Sequence, residues 1–99
     1  MTELLVTFTE PTRTALGALY YARALGEQAK DGRWHAHIEF VLDGDEAASL
    51  TGDETVQSSR GDLEYWAQGL SPTYLEGALA RALWPVTTAV AHKLSRLSA

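Results

Sequence analysis

The amino-acid sequence predicts an α+β fold, a small antiparallel β-sheet of two to three strands followed by two to three C-terminal helices. Three observations carry the prediction. Residues 34–40 alternate between apolar and polar side chains, the period of a strand with one face buried. Asp31-Gly32 and Asp43-Gly44 bracket that run with turn dipeptides, glycine supplying the backbone freedom that tight turns need. Beyond Ser59 the apolar spacing changes to i, i+3, i+4 and i+7, the period of a helix. Strands first and helices after is the order of an α+β chain and not of an alternating α/β one.

The elements follow in order. Residues 1–17 read as an N-terminal strand or arm: Leu4, Val6 and Phe8 alternate, and Glu10-Pro11 stops them because proline removes a donor and restricts the residue before it. Residues 18–25 are ambiguous, since alanine and leucine favour helix while Tyr20 and Tyr21 favour strand. The strand at Trp34–Leu42 needs a neighbour, and the preceding segment is the nearest, so a hairpin is expected. Leu50-Thr51 and Glu54–Gln57 return as a third strand, interrupted at Gly52-Asp53, and close a β-layer at 18–57. Ser59-Arg60-Gly61-Asp62 then has the form of a capping box. It opens a helix near 60–68 with Leu63, Trp66, Ala67 and Leu70 on one face and Gly69 at its end. Ser71-Pro72 starts a second helix near 72–84, with serine as cap and proline in the first turn. Pro85 breaks the run, and Val86, Val90, Leu94 and Leu97 continue an apolar stripe over 86–97. The expected core is Trp34, Ile38, Phe40, Leu63, Trp66, Leu75, Leu79 and Leu83, within one domain over 1–99 whose helical half is 59–97.

Composition excludes several classes. With no cysteine there are no disulfides and no thiolate metal sites, which fits a reducing cytoplasm. No run of about eighteen apolar residues occurs, so no membrane span is expected, and the first residues lack the basic and apolar regions of a signal peptide. The net charge of −5 opposes nucleic-acid binding. Lys93 and Arg96 make the stretch 85–99 locally +2 and leave −7 on the rest, two cations that suit a helix end rather than a phosphate-tracking surface.

Two resemblances attach to particular residues. Asp31-Gly32-Arg33-Trp34, Ile38-Glu39-Phe40, Glu54–Ser58, Tyr65-Trp66-Ala67 and Tyr74–Leu79 resemble a small family of uncharacterised bacterial proteins. That likeness implies a shared fold unit and no chemistry. Asp31–Ala36 and Thr51–Thr55 are similar to HicB-type antitoxins, which implies a hairpin, a third strand, a packed helix and a ribonuclease toxin as partner. Here Glu54 is inserted into that family's Gly-Asp-Thr signature, and no separate DNA-binding segment follows.

Candidate chemistry is sparse. His35, His37 and Glu39 share the polar side of the strand at 34–42, and imidazoles with a carboxylate suit a zinc-like divalent cation. The same alternation is what any solvent-facing strand shows, and His92 is not placed near enough to complete a shell. Asp43-Gly44-Asp45-Glu46 lacks the acid spacing of a calcium loop. There is no Gly-x-Ser-x-Gly elbow and no phosphate-binding glycine loop, so neither a catalytic residue nor a cofactor is expected. Tyr65 and Tyr74 fall off the apolar stripes and, with Val90, Leu94 and Leu97, are the interface candidates. The functional expectation is a non-enzymatic protein–protein interaction module, forming a homodimer. The alternatives are a metal-binding or enzymatic domain built on His35, His37 and Glu39, and an antitoxin of the HicB type.

Overall fold

The computed structural model describes residues 1–44 and 48–83. Six strands form one antiparallel sheet: β1 (Thr2–Thr7), β2 (Thr12–Arg13), β3 (Leu19–Gln28), β4 (Trp34–Leu42), β5 (Ala48–Leu50) and β6 (Thr55–Gln57). Two helices follow, α1 (Arg60–Gln68) and α2 (72–83). The expected helix at 86–97 lies outside the described residues. No described helix is long and apolar enough to cross a membrane.

The strand count corrects the expectation of two to three. The long antiparallel pair β3–β4 occupies the middle of the sheet, and each outer position is filled by two short pieces, β1 with β2 beside β3 and β5 with β6 beside β4. Residues 8–11, with Pro11 lacking a donor, break the first edge. Residues 51–54 break the second. Strands of two or three residues are too short to show a period of two, so the sequence gives no sign of β2, and β5 with β6 reads as one interrupted strand.

The β3–β4 hairpin turns through residues 29–33. Ala29 N–H donates to the Arg33 carbonyl at 2.8 Å, and Gly32 N–H donates back to the Ala29 carbonyl at 2.9 Å. Gly32 has φ +87°, a left-handed backbone that a side chain would strain. Asp31 accepts from the Arg33 backbone N–H and then from its guanidinium, and these bonds hold its carboxyl below the ordinary value of 3.8.

Alternation then divides the sheet. Ala22, Ala24 and Gly26 on β3 lie beside Phe40, Ile38 and Ala36 on β4, and all six are buried. Leu75, Ala78, Leu79 and Ala82 of α2 close on Ala22, Ile38 and Phe40 in one cluster. At the other end of the hairpin a Cβ on Gly26 would stand 2.8 Å from Leu63 of α1 and 3.2 Å from Leu5, so glycine is what lets α1 approach there. Of the expected core, Ile38, Phe40, Leu63, Leu75 and Leu79 are buried, whereas Trp34, Trp66 and Leu83 are half-buried.

Both helix starts use serine. Asp62 N–H donates to Ser59 Oγ at 3.1 Å, and Tyr74 N–H to Ser71 Oγ at 3.1 Å, each satisfying a donor that the first turn leaves unpaired. The first cap is not the reciprocal box, because the Asp62 carboxylate accepts from the Ser58 hydroxyl instead. Gly69 ends α1 at φ −89°, without the left-handed turn expected of a terminal glycine.

Phe40 is fully buried between the sheet and α2. Phe40→Ala should therefore lower unfolding free energy by about 3–5 kcal/mol, measured by urea titration. A loss under about 1 kcal/mol would mean that this face is not the core.

Candidate functional site

Both described helices pack on the face that carries Phe40, and no described element covers the other. The paired registers place its side chains in rows across the strands. One row runs Thr7, Arg23, Glu39, Leu50. On one side of it lie Leu4, Leu25 and His37, then Thr2, Glu27, His35 and Val56. On the other lie Tyr21, Val41 and Ala48. All three candidate ligands of the sequence reading thus stand on this face.

They do not act as one group. Arg23 lies directly across from Glu39 and donates to its Oε1 from Nε at 2.8 Å, with the terminal guanidinium nitrogen on the same oxygen. That carboxylate is accordingly held in an ion pair at the centre of the face. His35 and His37 turn instead to Asp53, from the break between β5 and β6. His35 Nδ1 is 2.7 Å from Asp53 Oδ2, and His37 Nδ1 is 3.5 Å from Oδ1. A carboxylate only accepts, so His35 donates to Asp53 from a protonated Nδ1. The longer His37 contact is an electrostatic neighbour more than a bond. The two histidines and Asp53 line an open depression of about 380 Å³ with Glu27 and Lys30. Among the described residues no three histidine, aspartate or glutamate side chains converge as a metal shell requires.

Asp53 belongs to the site, although in the sequence it marks only the interruption of the third strand at Gly52-Asp53. The signal that would have found it is local. Thr51 N–H donates to the Ile38 carbonyl at 3.0 Å, its hydroxyl accepts the Ile38 N–H at 2.9 Å, and Glu54 N–H donates to the Ala36 carbonyl at 2.8 Å. A buried threonine side chain therefore keeps the broken edge stitched to β4 while the chain bulges through Gly52 and Asp53. Consecutive residues of the returning chain then point to opposite faces. Asp53 reaches the histidines, and Glu54 reaches under the helices.

On that far side Glu54 accepts from the Tyr74 hydroxyl at 2.7 Å and from the Arg81 guanidinium. Arg81 also stacks 5.6 Å over the Tyr74 ring, and Trp66 meets that ring edge-on at 6.0 Å. Tyr74, an interface candidate, is thus half-buried and ties α2 to the sheet. Burial first, and the bond to Glu54 second, raise its phenol above the ordinary 10.0. Tyr65 on α1 is 81% exposed. Val90, Leu94 and Leu97 lie outside the described residues.

No protein-family model, no curated protein and no solved structure matches this chain.

Two measurements check these geometries. Nitrogen-15 NMR of the imidazoles should show the Nδ1–H tautomer for His35, reverting to the commoner Nε2–H form in Asp53→Ala; an unchanged tautomer would remove Asp53 as its partner. For Tyr74, a folded value above the unfolded one means that the native state holds the phenol proton more tightly. The associated stability is complete below about pH 10 and is lost as pH rises through the folded value. Wild-type stability should therefore fall more steeply above pH 10 than that of Tyr74→Phe, and parallel profiles would refute the coupling.

Proposed function

We propose that this domain is a non-enzymatic interaction module of the cytoplasm that self-associates, laying the uncovered face of its sheet on the same face of a second copy. The observation behind the reading is the distribution of side chains on that face. Leu4, Tyr21, Leu50 and Val56 are 51%, 40%, 57% and 40% exposed, and they flank the Arg23–Glu39 pair on both sides. An apolar surface of this kind marks a contact surface more often than a solvated one.

The face is also self-complementary. A two-fold axis running along the strands between β3 and β4 sets Arg23 over the Glu39 of the second copy and Tyr21 over its Val41. Each charge keeps its partner within the chain and gains another across the interface, so neither is buried alone. Aligned sheets pack in this way at about −30°, with side chains of the two faces interleaved. A ten-residue strand spans about 33 Å, and four strand positions span about 15–19 Å. The face is then about 500–600 Å² per copy. Two copies bury about 1,000–1,200 Å², the lower end for specific interfaces, so a reversible dimer is expected.

Charge reversal tests it. Arg23→Glu leaves an all-acid centre and Glu39→Arg an all-basic one, so each variant alone should sediment as a monomer at concentrations where wild type dimerises. Mixed one to one they should form a heterodimer. A wild-type monomer at high micromolar concentration, or a mixture that stays monomeric, would overturn the proposal.

A further inference from the structure

A second concavity lies on the helix side, away from the uncovered face. The corner where the chain passes from β1 to β2 stands against the start of α2 and leaves a cleft of about 250 Å³. Phe8, Leu70 and Leu75 line it, and all three belong to or pack against the apolar core. Glu10, Arg13 and Glu76 line it as well. None of these three side chains has an ion pair or hydrogen bond among the described residues. On α1, by contrast, Arg60 has closed on Glu3 and Glu64. Here charges of both signs line one apolar hollow and stay beyond ion-pair distance.

We propose that this cleft binds a free amino acid with a large apolar side chain, the side chain lying against Phe8, Leu70 and Leu75. Arg13 takes the α-carboxylate, for which a guanidinium offers a two-pronged donor, and Glu10 and Glu76 take the α-ammonium. A cleft of about 250 Å³ has room for one apolar side chain against that floor. The presence of both charges favours a free amino acid over a peptide end, which keeps only one of them. A small solute with no apolar side chain would leave the floor uncovered.

Isothermal titration of the whole chain separates these cases. L-phenylalanine and L-leucine should bind. Glycine, L-phenylalaninamide, which lacks the carboxylate, and N-acetyl-L-phenylalanine, which lacks the ammonium, should each bind about tenfold or more weakly. Arg13→Ala should abolish the preference for phenylalanine over its amide, and the double change Glu10→Gln with Glu76→Gln the preference over the N-acetyl derivative. All three side chains are on exposed residues, so the variants should melt with the parent, which a thermal scan verifies. No heat with either amino acid, or equal affinity for glycine, would overturn the proposal. Equal binding of the amide or of the N-acetyl compound would replace it with recognition of a peptide N- or C-terminus.

Discussion

The register of β3 against β4 is the constraint on which every other contact rests. Each of the nine paired positions from Tyr20↔Leu42 to Gln28↔Trp34 fixes a face. The buried face is built unequally. β3 contributes Ala22, Ala24 and Gly26, which have almost no side chain, while β4 contributes Ile38 and Phe40. The small residues form a flat floor on which α2 can lie, and the large ones fill the space under it. A slip of one residue would turn Tyr21, Arg23 and Leu25 toward the helices and leave the alanines in solvent. That register would bury Arg23 without water, and a slip that turned β4 over instead would forgo the burial of Phe40 and Ile38, roughly 1.5–3 kcal/mol each.

The second constraint is the break in the edge beside β4. A continuous strand from Ala48 to Gln57 would satisfy the backbone of β4 with no help from side chains. Splitting it leaves Ile38 N–H with the Thr51 hydroxyl as acceptor, so the polar group stays paired in a buried place. The detour places two acids where a regular strand would not. Asp53 holds the imidazoles on one face, and Glu54 holds Tyr74 and Arg81 on the other. One short loop therefore links the packing of α2 to the geometry of the histidine pair, although their side chains lie on opposite sides of the sheet.

This explains how much the sequence revealed. The alternation at 34–40 is strong because β4 has one face under helices and one in solvent. The segment at 18–25 was ambiguous for the same physical reason that it works: alanines chosen to be small on a strand look like helix formers. Thr12–Arg13 carries no strand signal, and Ala48–Leu50 with Thr55–Gln57 reads as one interrupted strand and not two, because these pieces are paired by β3 and β4, not by any pattern of their own. The row of His35, His37 and Glu39 was legible as a row, since alternation alone fixes a face. What each side chain touches depends on strand neighbours distant in sequence. Arg23 claims Glu39 across the hairpin, and Asp53 arrives from a bulge whose only marks are Thr51 and Gly52.

The edges bear on how such a domain can associate. An uninterrupted edge strand offers a row of unpaired N–H and C=O groups to any other strand. Here β1 shifts register between Leu4 and Val6, Pro11 precedes the two-residue β2, and β5 and β6 are three residues each. Among the described residues no edge presents a straight ladder longer than a few residues, so addition of a strand there gains few hydrogen bonds. The uncovered face has the opposite character. It is broad, apolar side chains flank the central Arg23–Glu39 pair, and the β3–β4 hairpin carries it. An interface there would rest on side chains whose positions the core already fixes, so little conformational entropy is lost on docking. The central pair would then set orientation more than affinity: a copy rotated out of register would bury Arg23 and Glu39 against leucine and valine, and desolvated charge without a new partner disfavours that arrangement.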